Sequence, residues 1–131
     1  MLIIREEQIQ HFIAEDETAL VRLIRQIVRD LNPERVADYS DQVIDSMIRI
    51  GILRAESRGL NLAEDIAAFV AVMFEIAPNF DTQKDIEQIF NDTAFLPTDR
   101  FRYLWDRVTE DAWKEAEANY DVKIWFPDKK E

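Results

Sequence analysis

GILRAESRGLNLAEDIAAFVAVMFEIAPNFD, residues 51–81, is the stretch whose reading decides the fold. Arg58-Gly59-Leu60-Asn61 predicts a hinge, because Gly59 can take the left-handed conformation that closes one helix while Asn61, three residues before Glu64, can cap the next. From Leu62 to Ile76 the apolar positions Leu62, Ile66, Phe69, Val70, Met73 and Phe74 fall at helical spacing, and Ala63, Ala67, Ala68, Ala71 and Val72 fill most of the gaps. A helix apolar nearly all round belongs in an interior. The expected fold class is therefore all-α, a single-domain bundle of about five helices around the central apolar helix 62–76, with short extended terminal segments.

Upstream, Leu2-Ile3-Ile4 is too short for a helix and is expected to be extended. From about Glu6 to Leu31 the positions Ile9, Phe12, Ile13, Leu20, Val21, Ile24, Ile27, Val28 and Leu31 recur at threes and fours, the stripe of an amphipathic helix. Glu15-Asp16-Glu17-Thr18 interrupts that stripe; the helix either runs through or restarts at Thr18, and continuity is favoured because no Gly or Pro marks a break. Arg22, Arg25 and Arg29 line its outer face, where neighbouring acids are expected to pair with them. Asn32-Pro33 ends the helix. Ser40 or Asp41 then caps a second helix carrying Val43, Met47, Ile50, Gly51 and Arg54. Gly51 inside that helix costs about 1 kcal/mol relative to Ala and predicts a close backbone approach.

Downstream, Ala77-Pro78-Asn79-Phe80-Asp81 turns the chain, and Asp81 or Thr82 is expected to cap a short helix holding Ile86, Ile89 and Phe90. Phe69, Phe74, Phe80, Phe90, Phe95 and Phe101, crowded between 69 and 101, read as core. Leu96-Pro97-Thr98-Asp99 opens a last long helix with Phe101, Leu104, Trp105, Val108, Ala112 and Ala116 on one face. Its outer face offers the i, i+4 pairs Arg102 with Asp106, Arg107 with Asp111, and Glu110 with Lys114. Val122 to Phe126 alternates as a strand, with Lys123 and Trp125 on the opposite side from Val122, Ile124 and Phe126, and 122–131 forms an extended C-terminal tail.

Composition narrows the functional classes. The 131 residues, 47% hydrophobic, suit one domain, and zero cysteines exclude disulfides and thiolate chemistry. The N-terminus lacks the apolar core of a signal peptide and no segment has the length of a membrane helix, so a cytoplasmic protein is expected. With 27 acidic against 16 basic residues the net charge is -11, which argues against nucleic acid or an anionic membrane as partner and favours a basic protein. Residues 61–99 carry eight acids against Lys84 alone.

Chemistry-bearing motifs are scarce. His11 is the single histidine and there is no cysteine, so no His-rich metal site and no His-based triad partnered by cysteine can form, and His11 is expected to be a surface or boundary residue of the first helix. Asp81 with Asp85, and Glu64 with Asp65, are carboxylate pairs of the kind that arise by chance among 27 acids, and no calcium loop, phosphate loop or GxSxG is present. No catalytic residue, cofactor or metal is expected, and the chain does not read as an enzyme.

The order of features resembles a group of small all-helical bacterial proteins of poorly defined function. The residues carrying the resemblance are Ile4, Arg5 and Gln8 at the start of the first helix, Gly51, Ile52, Ala55 and Gly59 closing the second, Glu64 and Asp65 after a cap, and Pro78, Phe80 and Asp81 at the exit, with Ala77 where that pattern has glycine. The resemblance spans about residues 3–95. Those proteins are encoded beside type VI secretion spike genes of the PAAR type and effector genes, including lysozyme-like toxins. The resemblance implies a non-enzymatic protein–protein interaction module, an adaptor or chaperone for an effector or spike. Two alternatives are a cytosolic immunity protein that neutralises a cognate toxin and a structural accessory of the secretion apparatus; a homo-oligomer is also compatible.

The partner site expected from the residues is an apolar anchor with a charged rim. Trp113, Trp125 and Phe126 would supply the exposed aromatics, and Asp81, Asp85 and Glu87 the acidic rim. Against it stands a purely structural arrangement in which Leu2–Ile4 and Val122–Phe126 pair as two short strands across the bundle.

Overall fold

In the computed structural model, residues 17–128 are described, and among them are seven α-helices and two single 3-10 turns, with no strand. We number the helices α1 (Glu17–Leu31), α2 (Pro33–Val36), α3 (Asp41–Ser57), α4 (Ala63–Glu75), α5 (Lys84–Phe90), α6 (Pro97–Arg107) and α7 (Glu110–Ala118). The all-α expectation holds. Seven helices replace the expected five, because the connection after Asn32 forms the short helix α2 and the expected last helix is divided into α6 and α7. The contacts define two compact units, with the boundary between Ala71 and Val72, inside α4.

The first unit rests on long helices whose apolar residues recur at threes and fours. On α1, Leu20, Val21, Ile24 and Val28 are buried, and on α3 Ile44, Met47, Ile48, Ile52 and Ala55 are buried along with Gly51. These two helices pack against each other. Across that packing Arg25 Nη1 donates to both carboxylate oxygens of Asp45 at 2.7 Å, and Arg29 Nη2 donates to Asp41 at 2.6 Å. Two of the three arginines of the stripe, Arg25 and Arg29, are thus in ion pairs, as their acidic surroundings predict. Whether the first helix is continuous through Glu15–Thr18 lies outside the described residues, as do Leu2–Ile4 and His11; α1 is described from Glu17.

The hinge forms as its residues require. Gly59 sits at φ 87°, its N–H bonds the Glu56 carbonyl at 2.9 Å, and the Leu60 N–H bonds Ala55 at 3.2 Å. That double bond satisfies two carbonyls at the end of α3, and the left-handed residue at its centre needs glycine. Leu60 is buried at 1% exposure, which fixes the exit direction. Ser40 caps the start of α3, accepting from the Val43 N–H at 3.2 Å. The apolar helix α4 runs Ala63–Glu75, one residue inside the expected range at each end, with Ile66, Phe69, Val70 and Met73 fully buried.

In the second unit the sequence-based expectations need three corrections. The last long helix is two: the chain leaves α6 at Val108 (φ -81°, ψ 127°), and the Thr109 hydroxyl accepts from the Ala112 N–H at 3.1 Å to start α7. Continuous apolar spacing masked a good N-cap. Residue Gln83, and neither Asp81 nor Thr82, caps α5, its Oε1 accepting from Asp85 and Ile86 at 2.9 and 3.0 Å; Asp81 and Thr82 lie in the 3-10 turn Phe80–Thr82. The C-terminal segment is not a strand. Asp121 accepts from the Lys123 N–H at 3.0 Å, the turn Val122–Ile124 follows, and both Trp125 and Phe126 bond back to Val122. An aspartate that satisfies the N–H two residues on favours a turn over an extended chain.

Candidate functional site

Five aromatic rings of the second unit form a closed circuit. Phe80 lies 6.2 Å from Trp113, Trp113 5.6 Å from Trp105, and Trp105 5.9 Å from Phe101. Phe101 lies 6.4 Å from Phe90, and Phe90 6.4 Å from Phe80. These separations are those of favourable aromatic pairs. The three phenylalanines are buried and Trp113 is half-buried, whereas Trp105 is 53% exposed.

The Trp105–Trp113 stack, with its planes only 16° apart, is a consequence of the break between α6 and α7. On a continuous helix two residues eight apart are separated by about 12 Å along the axis. The extended backbone at Val108 and the Thr109 cap bring the end of one helix and the first turns of the next together, and the two indoles meet. Pro97 at its first turn starts α6, and the Val108 N–H to Leu104 bond at 3.0 Å closes it at the break. Nearby on α6, the Arg107 guanidinium lies 4.5 Å from the centre of the Tyr103 ring and 5.5 Å from that of Phe95, whose ring meets Tyr103 edge-on at 4.8 Å.

Charge surrounds this aromatic surface unevenly. Helix α7, EDAWKEAEA, has Glu110, Asp111, Glu115 and Glu117 exposed against Lys114 alone, and Lys114 sits 3.4 Å from Glu110. Glu110 and Glu117 lie three residues before and four after Trp113, on the same side of the helix. Asp106, next to Trp105, is exposed as well.

The six residues expected at a partner site are distributed differently from the expectation. Trp113, expected to be exposed, is half-buried, and Asp85 is exposed. Trp125 is a correction: it is 3% exposed, with its ring 4.7 Å from Phe74, because the C-terminal turn folds the indole inward where a strand would have directed it out. Asp81 is also buried, at 1% exposure, inside its 3-10 turn, and is no rim residue. Glu87 and Phe126 are half-buried. Trp105, assigned by sequence to the buried stripe of a continuous helix, takes the exposed place. The signal that would have found it is Thr109-Glu110-Asp111, a capping residue followed by two acids of a helix first turn.

One cavity of about 340 Å³ in this unit is lined by Asn79, Thr82, Gln83, Lys84, Glu115, Ala116 and Asn119. Its framework is hydrogen-bonded: Asn79 Nδ2 donates to the Asn119 carbonyl at 2.9 Å, and its Oδ1 accepts from the Asp121 N–H at 2.9 Å. Asn79 thereby ties the 3-10 turn to the end of α7 and the C-terminal turn. Among the described residues no group of three or more His, Asp or Glu side chains is placed to hold a metal ion, and no helix is long and apolar enough to cross a membrane.

Comparison with protein-family models, with curated proteins and with solved structures finds no match to this chain.

Proposed function

We propose that this chain is a non-enzymatic protein-binding module, acting in the cytoplasm as an adaptor or chaperone for a type VI secretion effector or spike. The observation that carries the binding part of this reading is the half-exposed Trp105 stacked on Trp113, an indole held rigid at the surface beside an acidic helix. Large aromatic side chains of this kind carry much of the energy in protein interfaces, and one already immobilised loses little freedom on binding. The secretion part is supported by the resemblance in residues 3–95 described above.

The test is co-expression with the product of a neighbouring effector gene. The expected outcome is a complex that co-purifies and an effector that is insoluble or undelivered when the module is deleted. An effector that is soluble, delivered and uncomplexed without it overturns the reading, and a toxin that kills only in its absence would identify an inhibitor in place of a chaperone.

A further inference from the structure

We infer that the open surface of Trp105 is a docking site for an arginine-bearing segment of a protein partner. The inference rests on the binding-module reading and names the chemistry of what is bound. Three observations lead to it.

The first is that Trp105 differs from the other large apolar residues at the surface. Leu23, Leu31, Leu53 and Leu96 are exposed at 55%, 64%, 68% and 71% and are ordinary surface leucines, and Tyr120, at 43%, is less exposed than Trp105. Trp105 is fixed by a near-parallel indole at 5.6 Å and by Phe101 edge-on at 5.9 Å with planes 77° apart, yet more than half of it remains open. A rigid indole needs little ordering to receive a ligand.

The second is electrostatic. An indole face attracts cations through its ring quadrupole, best when acids nearby add a long-range field of the same sense. Glu110 and Glu117 on the Trp113 side of α7 and Asp106 beside Trp105 provide that field around the stack, partly offset by Lys114 at 3.4 Å from Glu110. The cations closest along the chain are already engaged: Arg107 lies over Tyr103, and Arg102 has an interaction of its own. Arg107 also displays the geometry proposed for the incoming group, a guanidinium 4.5 Å from an aromatic centre.

The third observation discriminates among occupants. A second copy of this chain brings the same net charge of -11 to the contact, and a nucleic acid brings the same sign. A basic segment is attracted by both the ring and the rim. Arginine fits better than lysine, because the planar guanidinium stacks on an indole and is more weakly hydrated than an ammonium.

The experiment uses the whole chain with three peptides of equal length, rich in arginine, lysine or glutamate, titrated by tryptophan fluorescence and calorimetry at low and moderate salt. The wild type should bind the arginine peptide more tightly than the lysine peptide, bind the glutamate peptide undetectably, and lose affinity as salt rises. Trp105→Leu keeps an apolar side chain without the ring and should weaken the arginine peptide about tenfold while the circular dichroism spectrum stays unchanged. Should that variant misfold, Asp106→Asn with Glu110→Gln should still reduce affinity and flatten the salt dependence. The proposal is overturned by equal binding of arginine and glutamate peptides, by absence of arginine-peptide binding, by full affinity in a folded Trp105→Leu protein, or by a dimer that occupies the indole and dissociates on that substitution. An effector that co-purifies undiminished with Trp105→Leu would leave the module reading intact and remove this site; arginine-peptide binding without any effector complex would do the reverse.

Discussion

The two units solve the problem of a small core with different materials. Up to Ala71 the buried residues are chiefly aliphatic, with Ile24, Val28, Ile44, Ile48 and Ile52 on helices of 15 and 17 residues, Leu60 in the hinge and Ile66 on α4. From Val72 onward the largest buried residues are rings, Phe74 at the end of α4, Phe80 in its 3-10 turn, Phe90 and Phe101 on helices of 7 and 11 residues, and Trp125 in the C-terminal turn. Branched aliphatic side chains fill the groove between two long helices by repeating, so each turn adds a similar contact. Rings are few and large, and their contacts depend on distance and tilt. Short helices whose directions are set by side-chain caps can present rings at those angles. The difference also shows in what stays open: a repeating aliphatic seam closes on itself, whereas a circuit of five rings leaves the one at its edge, Trp105, half open.

The largest effects come from removing one buried ring from each core, Phe69 from the aliphatic one and Phe80 from the ring circuit. Phe69→Ala, at a position with 0% exposure, should cost about 3–5 kcal/mol in urea unfolding followed by circular dichroism. Phe80→Ala should cost about as much and, in addition, shift the native tryptophan emission, since Phe80 is a ring neighbour of Trp113 and all three tryptophans lie between 105 and 125. A Phe80→Ala protein with unchanged emission would break the account of the ring circuit.

The next effect concerns the caps that hold the short helices. Asn79→Ala removes two hydrogen bonds that tie the C-terminal turn in place and should cost about 1–3 kcal/mol, with Trp125 becoming more accessible to a soluble quencher. Thr109→Ala should cost about 1 kcal/mol and Thr109→Ser much less, because the hydroxyl alone supplies the cap. If the break between α6 and α7 were set by packing instead, Thr109→Ala would leave both stability and the Trp105–Trp113 stack untouched.

These caps also mark the limit of what the sequence makes legible. The first unit is readable because a period near 3.6 sustained over Leu20–Val28 and Ile44–Ala55 has one helical interpretation, and because Gly59 announces its own conformation. The second unit uses less distinctive signals. Gln83 is an unusual N-cap, so Asp81 and Thr82 beside it draw the assignment; the actual position leaves Asp81 inside the turn and buried. Ala112 and Ala116 continue the apolar spacing of Phe101 and Leu104 across a real break, because small residues are compatible with either register. At the C-terminus an alternation of five residues reads equally as strand or as turn, and Asp121 with Asn79, 42 residues distant, decides for the turn. The exposure of the candidate aromatics was legible only in part for the same reason. Trp113 was found on its own helix, while Trp105 and Trp125 exchanged places once the break and the turn were known.

The smallest effect belongs to the surface of the first unit and separates its two kinds of charge. Asp41 accepts from Arg29, with Arg25 also nearby, and these cations hold its carboxyl below the usual range. A lowered carboxylate stabilises the fold at pH values above its unfolded pKa, and this contribution disappears as pH falls through the folded value. Glu56 behaves oppositely. Partial loss of water around its carboxyl, then the charge of Glu17, raise its pKa. A raised carboxyl binds its proton more readily in the folded chain, so its contribution is fully present below the unfolded pKa and is lost as pH rises through the folded one. Glu56→Gln should therefore melt with the wild type in acid, where Glu56 is protonated, and slightly above it at neutral pH. Asp41→Asn should match the wild type in acid and melt below it at neutral pH, by a margin that shrinks with salt because the pair is at the surface. A Glu56→Gln protein that is less stable than the wild type at neutral pH, or an Asp41→Asn deficit independent of pH, would show that these side chains act through packing, and the first unit's surface would then follow its core.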